Sequence, residues 1–438
     1  MAKVLVVDDD LIVRTIVTRR LEADGHQVLT ESDGEAGWAT ARDKRPDLVI
    51  LDLMMPKMHG YAVIEAIRRD PALSHVRIIV CSMKGYASDA RAALNLGADR
   101  YLTKPVPPDQ MAAAVNELVQ ADQHLTKPVP PDEAPAAEGE PARELREGQP
   151  YPLAFRVRFW GTRGSVATPG PKTLRYGGNT SCTEVRLGDH ILVLDAGTGI
   201  REFGDALLSE FKGNPIRAHI FVGHTHWDHI QGFPFFTPAY IPGNEISLYS
   251  ARGAGKSLQK IFMGQMDSDY FPVLLTDMRS TLKFVELSDP VQIGPITVRF
   301  NHLNHPGIAL GFRITAGARV IVYLSDHECF SRMYGEEAGA VEDRRIAEFA
   351  RGADLLISEA QYTVEEYKAK KGWGHSTFDD AVRLAGETGA KQLAIFHHDP
   401  AHDDAFMDRI IDECREKALK AGYTYKCFAA REGDTIAV

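Results

Sequence analysis

Gly223-His224-Thr225-His226-Trp227-Asp228-His229 is the stretch that decides how this chain folds. It follows the apolar run Ala218 to Val222, which predicts a buried strand. Neutral imidazole is a common metal ligand, and three imidazoles and one carboxylate fall here within six positions. Side chains two apart in an extended chain point the same way, so His224 and His226 can bind one ion while Asp228 and His229 face a second. A polar surface loop is the alternative interpretation.

The spacing His-x-His-x-Asp-His after a strand resembles the signature of the metallo-beta-lactamase superfamily. This resemblance implies that residues 153–438 form an α/β domain, a four-layer αββα sandwich of two sheets covered by helices. It also implies that the missing metal ligands follow later strands, in the order histidine, bridging aspartate, histidine.

Three later clusters of ligand-type residues follow apolar runs that each predict a strand: Ile296 to Phe300, Val320 to Leu324 and Leu393 to Phe396. By the resemblance we assign His305, Asp326 and His397 from these clusters, with His302 and His398 as competing choices. The implied first metal is bound by His224, His226 and His305, the second by Asp228, His229 and His397, and Asp326 bridges them. Imidazole and carboxylate ligands without thiolate favour zinc, with manganese or iron left open.

Two further elements are similar to those of ribonuclease Z and related phosphodiesterases: Leu356-Ile-Ser-Glu359-Ala360 and Gly374-His375-Ser376-Thr377. The resemblance implies that His375 protonates the leaving oxygen, that Glu359 orients it, and that Asp228 orients the attacking hydroxide. A carboxylate beside an imidazole raises its pKa, which suits a general acid near neutral pH. The implied activity is a binuclear metal-dependent phosphodiesterase for cyclic or short nucleotides or related small phosphodiesters.

Other interpretations stay open at this point. From the residues alone, His375 could be a helix-cap residue ahead of Ser376. The domain could hydrolyse another ester, a lactam or a thioester, or it could be a non-catalytic metal-binding signalling adaptor. Full metal occupancy without hydrolysis of any ester would favour the adaptor.

Two more segments of this domain have both a functional and a plain structural interpretation. The Gly-rich turn Gly161–Ser165 lets the backbone approach a ligand closely, with Arg163 as a local positive charge, or is an ordinary tight turn. The segment Gly253–Ser280, with Tyr270 and Phe271, is either a lid that stacks a base or aryl group or a packed surface element.

Residues 1–120 alternate short apolar strands with amphipathic helices, which predicts an α/β, flavodoxin-like domain with a five-stranded parallel sheet. Ligand sites in such sheets form at the carboxyl ends of the strands. Asp8 and Asp9 follow the first predicted strand and Asp52 the third. Carboxylates gathered at one edge repel one another unless a hard cation such as Mg²⁺ lies among them.

This region resembles the response-regulator receiver domain over essentially all of its length. The resemblance implies that Asp52 is phosphorylated by a cognate histidine kinase or phosphotransfer protein. It further implies that Asp8 and Asp9 bind magnesium. In the same resemblance Ser82 senses the phosphoryl group, Lys104 contacts it, and Tyr101 matches the aromatic switch position. An unphosphorylated binding module of the same fold is the alternative.

Residues 121–152 are rich in Pro, Ala and Glu and predict a flexible linker. The segment Leu102–Asp109 recurs letter for letter as Leu125–Asp132. The second copy lacks a preceding strand, so Lys127 is not expected to act as the receiver lysine. A homodimer formed through this region is left open.

Composition limits the classes of function and partner. The formal charge of −10 argues against an extended nucleic-acid surface. Five scattered cysteines without a Cys-x-x-Cys pair fit reduced thiols. No apolar run reaches the length of about 20 residues that a membrane span needs. The sequence therefore predicts a cytoplasmic protein with no membrane contact.

Overall fold

The computed structural model describes residues 1–55, 57–84, 87–121, 155–251 and 256–438. Contacts divide the chain into two compact units that part between Pro150 and Tyr151. All of the predicted linker beyond residue 121, including Lys127, lies outside the described residues, as do residues 253–255 of the predicted lid. Among the residues that are described, no helix combines the length and apolar surface that a membrane crossing requires.

The first unit is a parallel sheet with helices between its strands. Its strands are β1 (Lys3–Val7), β2 (Gln27–Glu31), β3 (Leu48–Leu51), β4 (Arg77–Ser82) and β5 (Arg100–Thr103). Its helices are α1 (Leu11–Ala23), α2 (Gly34–Lys44), α3 (Gly60–Arg69), α4 (Ala87–Asn95) and α5 (Pro108–Ala121). The strand order is β2-β1-β3-β4-β5 and every pairing is parallel, which confirms the predicted five-stranded sheet. Because helices on both faces exclude water, all four residues of β3 are buried.

The second unit contains two seven-stranded sheets, here named sheet I and sheet II. The strands are β6 (Arg156–Gly161), β7 (Cys182–Leu187), β8 (His190–Leu194), β9 (Arg217–Phe221), β10 (Glu245–Ser250), β11 (Thr281–Glu286), β12 (Val291–Ile293), β13 (Ile296–Leu303), β14 (Ala309–Ala316), β15 (Arg319–Leu324), β16 (Leu355–Glu359), β17 (Gln392–Phe396), β18 (Lys426–Ala429) and β19 (Thr435–Ala437). Sheet I has the order β11-β10-β9-β8-β7-β6-β19, and sheet II has the order β12 to β18 in sequence.

Helices cover the two sheets on their outer faces. They are α6 (Ile200–Phe211), α7 (Trp227–Ile230), α8 (Leu258–Gln265), α9 (Phe330–Tyr334), α10 (Glu336–Ala350), α11 (Val364–Lys370), α12 (Phe378–Thr388) and α13 (Asp404–Lys420). One apolar core joins α6 and α8 to the outer face of sheet I. On the other side, α10, α12 and α13 contact the strands of sheet II. The predicted four-layer αββα arrangement is confirmed.

The inner faces of the two sheets form a shared core. Phe221 of sheet I lies 5.5 Å, centroid to centroid, from Phe312 of sheet II, and Phe159 lies 6.0 Å from Phe396. All four rings are fully buried. Burying a side chain of this size stabilises the fold by roughly 1.5–3 kcal/mol, so these pairs hold the sheets face to face.

The site lies where several strands end. The segment 223–229 follows β9, Asp326 follows β15, Glu359 ends β16 and His397 follows β17. β13 runs three residues further than the sequence predicted, to Leu303 instead of Phe300, because its pairing with β14 continues to Leu303 opposite Ala309.

Candidate metal centre

Three imidazoles converge just beyond β9 and β13. Nε2 of His224 and Nε2 of His305 each lie 3.0 Å from Nδ1 of His226. His224 and His305 are buried, whereas His226 is exposed on one side. The structure therefore brings together the three residues predicted to bind a first metal, in a group that opens to solvent at His226.

A second group, entirely buried, consists of Asp228, His229, Asp326 and His397. Nε2 of His229 lies 3.2 Å from Nε2 of His397 and 3.3 Å from Oδ2 of Asp228. Asp326 stands between the two groups, with Oδ1 3.1 Å from Nε2 of His397 and Oδ2 3.5 Å from Nε2 of His224. One carboxylate faces both groups, as a bridging ligand must.

The hydrogen bonds of the first group leave nitrogen lone pairs that face one another, an arrangement that suits a cation. Nδ1 of His305 donates to the carbonyl of Gly374 at 2.8 Å, so its Nε2 presents a lone pair. Nδ1 of His226 carries at most one proton for its two close nitrogen neighbours, so lone pairs face one another. Nitrogen ligands of tetrahedral zinc lie roughly 3.3 Å apart, given bonds of about 2.0 Å. The observed separations fit a metal ion between these residues.

The second group favours positive charge for a separate reason. Oδ1 of Asp326 is buried without a hydrogen-bond partner among the described residues. Burial alone lowers the pKa of His229, but Asp228, Asp326 and Asp195 outweigh it and raise that pKa well above its ordinary value. A position that raises the pKa of an imidazole so strongly attracts a proton or a metal cation. The donor atoms of both groups are therefore suited to bind a divalent metal.

Asp195 orients the second group from behind. Its Oδ2 accepts a hydrogen bond from Nδ1 of His229 at 2.8 Å and another from the Tyr323 hydroxyl, and its Oδ1 accepts from the amide of Gly223 at 2.6 Å. The Nδ1–H tautomer leaves Nε2 of His229 available as a ligand. Asp195 is therefore a carboxylate that fixes the ligand without joining either group.

Three residues at this site other than glycine have left-handed backbone conformations. The φ angles are +63° for Asp195, +61° for His397 and +61° for Ser165. Such conformations cost free energy and cluster where function requires a particular geometry. The amide of Ser165 donates to Oδ2 of Asp228 at 2.7 Å, so the Gly-rich turn supplies a hydrogen-bond donor to the site. Sequence reasoning missed this role of Ser165, although the turn Gly161–Ser165 was the available signal.

His375 and Glu359 are neighbours beside the two groups. Nδ1 of His375 lies 3.6 Å from Oε2 of Glu359, and Oε1 of Glu359 accepts from the amide of Ser376 at 2.6 Å. The residue that caps α12 is Thr377, whose hydroxyl accepts from the amide of Asp380. His375 is therefore not the helix cap. The expected rise in the pKa of His375 is wrong, because burial lowers that pKa. Burial together with Asp326 raises the pKa of Glu359, so both shifts favour neutral forms.

The competing histidines have other surroundings. His302 is paired with Leu310 inside β13, and Nε2 of His398 donates to the carbonyl of Ala430 at 2.8 Å. Within the described residues, neither belongs to a potential ligand group. Arg163 is fully buried and donates to the backbone carbonyls of Gly177 and His402. Of the two interpretations of the Gly-rich turn, the contacts of Arg163 favour an ordinary tight turn, because its guanidinium holds loops together.

Large aromatic side chains are exposed next to the ligand-bearing segments. Trp227, between His226 and Asp228, is 79% exposed, and Trp373, two residues before His375, is 61% exposed. In the described part of the predicted lid, Leu258 and Phe262 pack in the core, whereas Tyr270 is 81% exposed. The packed interpretation therefore holds for Leu258 and Phe262, and the lid interpretation stays a prediction.

The first unit has its own acidic site at the carboxyl ends of β1 and β3. Asp8, Asp9 and Asp52 place carboxylate oxygens within 4.8 Å of one another. Nζ of Lys104 lies 2.6 Å from Asp52 and 2.7 Å from Asp8. Burial, and then repulsion from the charge of Asp52, raise the pKa of Asp8 to about 7. A divalent cation would offset this repulsion.

Ser82 and Tyr101 lie on the neighbouring strands. Ser82 is the last residue of β4 and is fully buried. The Tyr101 hydroxyl donates to the carbonyl of Lys84 at 2.5 Å. The structure thus places the Tyr101 hydroxyl against the segment that follows Ser82.

Comparisons with known proteins cover both units. A family model for the response regulator receiver domain matches residues 4–116, and one for a beta-lactamase superfamily domain matches residues 190–398. The "Probable transcriptional regulator ycf27" of Guillardia theta is 42% identical over 118 residues, which are 27% of this chain and 45% of that protein. The chain spans about half the length of the curated relatives that it matches.

Two solved structures are similar to the second unit. The metallo-beta-lactamase fold protein YhfI from Bacillus subtilis is 21% identical with a TM-score of 0.44, covering 65% of this chain and 99% of that one. A diphosphatase from the PhnP family is 16% identical with a TM-score of 0.46, covering 65% of this chain and 98% of that one. From the two family models, this chain carries a response regulator receiver domain followed by a domain of the beta-lactamase superfamily.

Proposed function

We propose that the second unit is a phosphodiesterase that uses two divalent metal ions, and that phosphorylation of Asp52 controls it. One observation carries this proposal: Asp326 joins two converging ligand groups, and the His375–Glu359 pair lies beside them. The first group (His224, His226, His305) would bind one ion and the second (Asp228, His229, His397) the other. Donors of this kind favour zinc, with manganese or iron as alternatives.

Two such ions supply a hydroxide near neutral pH and Lewis-acid stabilisation of phosphoryl oxygens. The chain's own residues supply orientation. The Ser165 amide fixes Oδ2 of Asp228, so the carboxylate is held ready to align a nucleophile. Oδ2 of Asp195 accepts a hydrogen bond from Nδ1 of His229 and so holds that imidazole in one tautomer.

His375 is proposed as the general acid. Its Nδ1 faces Oε2 of Glu359, so Nε2 is the ring nitrogen that would give a proton to the departing alkoxide oxygen. Both pKa shifts favour neutral forms, so protonated Glu359 can return a proton to Nδ1 as Nε2 loses its own. The P–O bond then breaks without leaving an alkoxide ion.

The exposed aromatic residues support a substrate with a planar group. Trp227, Trp373 and Tyr270 are free to stack against a base, and such stacking contributes roughly 1–3 kcal/mol per base. A cyclic or short nucleotide meets both requirements, a phosphodiester and a planar ring.

For the first unit we propose a phosphorylation switch. A cognate histidine kinase or phosphotransfer protein would supply the phosphoryl group, with Mg²⁺ at Asp8, Asp9 and Asp52. Lys104 is already in contact with the proposed acceptor carboxylate. A phosphoryl group adds a charge of about −1.5 to −2, enough to rearrange Lys104 and the segment beside Ser82.

The general-acid role is tested with His375→Ala and two phosphodiesters that differ in their leaving group. With a cyclic nucleotide, whose leaving group is an alkoxide, kcat should fall roughly 10²–10⁴-fold. With bis(p-nitrophenyl) phosphate the fall should be much smaller, because p-nitrophenolate departs without a proton. An equal fall in kcat on both substrates would refute the general-acid role. Loss of bound metal in His375→Ala would instead indicate that His375 is a metal ligand.

A further inference from the structure

We propose that an open depression on the outer face of sheet II binds a phosphate-bearing ligand of nucleotide size. The depression has a volume of about 550 Å³, within the range of small-molecule sites. Four arginines line it, contributed by β13, β14 and the region of α10: Arg299, Arg313, Arg345 and Arg351. None of them belongs to the ligand groups of the metal centre, so this site does not depend on the proposed hydrolysis.

Two of these arginines are placed where their charges repel each other. Arg299 and Arg313 are direct partners in the antiparallel pairing of β13 with β14. Like charges directly opposite each other destabilise a sheet. Burial, and then the charge of Arg299, lower the pKa of Arg313, and the charge of Glu348 offsets this only in part. Among the described residues, Arg299 has no carboxylate partner to relieve it.

Arg299 also points away from the core. Its neighbours Val298 and Phe300 pack between the two sheets, so Arg299 and Asn301 lie on the opposite face of β13. Arg299 is exposed and Asn301 is half-buried. These polar side chains therefore face the depression.

The C-terminal end of α10 forms the other wall. The Arg313 guanidinium donates to the carbonyls of Phe349 and Arg351, both at 2.9 Å, so strand and helix end are fixed together. Arg345 is paired with Glu342, and Arg351 with Glu348. The walls are thus held in place without a ligand.

The chemistry of the lining indicates the class of ligand. Of the four lining arginines, two are paired with Glu342 and Glu348, and the other two leave this face with a positive charge on a chain whose formal charge is −10. Guanidinium binds phosphate through paired hydrogen bonds. Phe349 and Asn301, also in the lining, offer a ring face and an amide to a base. A nucleotide satisfies all three features.

The test is equilibrium binding of N-methylanthraniloyl-ADP to the metal-loaded full chain, followed by fluorescence. Arg299→Gln combined with Arg351→Gln should weaken binding at least tenfold. Arg217→Gln, a matched exposed arginine on β9 paired with Glu245, should not. Asp326→Ala should also leave this binding intact, because it changes only the metal centre. Unchanged affinity in the double variant, or loss of binding in Asp326→Ala alone, would overturn the proposal.

A second measurement covers the case in which the double variant fails to fold. Arg299→Gln alone should raise the melting temperature of the ligand-free protein, because it removes the repulsion from Arg313. The same substitution should lower the affinity for N-methylanthraniloyl-ADP. A lower melting temperature with unchanged affinity contradicts the proposal. Competition by a single-stranded oligonucleotide, compared with inorganic pyrophosphate, then distinguishes a nucleic-acid backbone from a free nucleotide as the source of the phosphate.

Discussion

Glu328 is a single residue whose contacts reach both the first metal group and the proposed general acid. It is fully buried. Its Oε1 accepts from the Tyr367 hydroxyl and the Gly372 amide, and its Oε2 accepts from the Gly374 amide at 2.9 Å. Gly374 in turn accepts the hydrogen bond from His305. One carboxylate therefore fixes the loop that orients His305 and carries His375.

We predict that Glu328→Gln weakens metal binding about tenfold and lowers kcat. The amide group can accept at only one end, so at least one buried N–H loses its partner. Residues that orient metal ligands typically change metal affinity 10–100-fold. Metal affinity is measured by chelator competition and kcat with a phosphodiester. Glu365→Gln, exposed and paired with Lys368, is the control. Unchanged metal affinity with unchanged kcat would show that the loop does not need Glu328.

Position 374 of the same loop requires glycine. Its φ is +90°, and an added Cβ would lie 2.3 Å from Nδ1 of His305. Sequence spacing identified His375 and a glycine beside it, but neither Glu328 nor Ser165 could be predicted. Their roles arise from contacts with residues 46 and 63 positions away, and no local pattern encodes such contacts.

At the scale of elements, strand ends were the most predictable feature. The apolar runs before His224, Asp326 and His397 predicted β9, β15 and β17 to within one residue at their C-terminal ends. The end of β13 was misplaced because His302 and Leu303 continue the pairing with β14, and cross-strand hydrogen bonds are invisible in a single strand's sequence. That pairing also separates His302 from His305.

The C-terminal segment is fastened to the turn at residues 175–181 by one half-buried carboxyl group. Glu432 accepts from the Asn179 amide and from Nδ2 of Asn179 at 3.2 Å. Burial raises the pKa of Glu432 from 4.5 to about 7. Because the folded pKa is the higher one, the folded chain binds more protons between pH 4.5 and 7. Its stability is therefore greatest below this window and falls as the pH rises through it.

We predict that Glu432→Gln removes this pH dependence. The contribution is on the order of 3 kcal/mol across the window, from the size of the shift. The free energy of unfolding should be measured by denaturant titration between pH 4.5 and 8 for the wild type and the variant. The difference between the two should grow with pH. Glu416→Gln, exposed on α13, should behave as the wild type does, and parallel curves for all three proteins would contradict the assignment.

At the scale of the whole molecule, one chain carries both a receiver domain and a beta-lactamase superfamily domain. We predict that acetyl phosphate with Mg²⁺ changes phosphodiester turnover of the full chain at least twofold and has no effect on Asp52→Asn. Phosphorylation can shift the equilibrium between a more active and a less active state only if it stabilises one of these states more than the other. Asp70→Asn, which alters a carboxylate beyond α3 and outside the acidic site, is the control. Equal turnover with and without phosphorylation would refute control through Asp52.

The most direct test of the central claim is a metal titration of the metal-free full chain, with phosphodiester turnover and bound zinc measured on the same samples. If both ions are required for turnover, turnover continues to rise beyond one equivalent and reaches its plateau only at two. Asp326→Ala should lose that turnover at every ratio. A wild-type chain that binds two equivalents yet hydrolyses no phosphodiester, or that is fully active with one, would contradict the account.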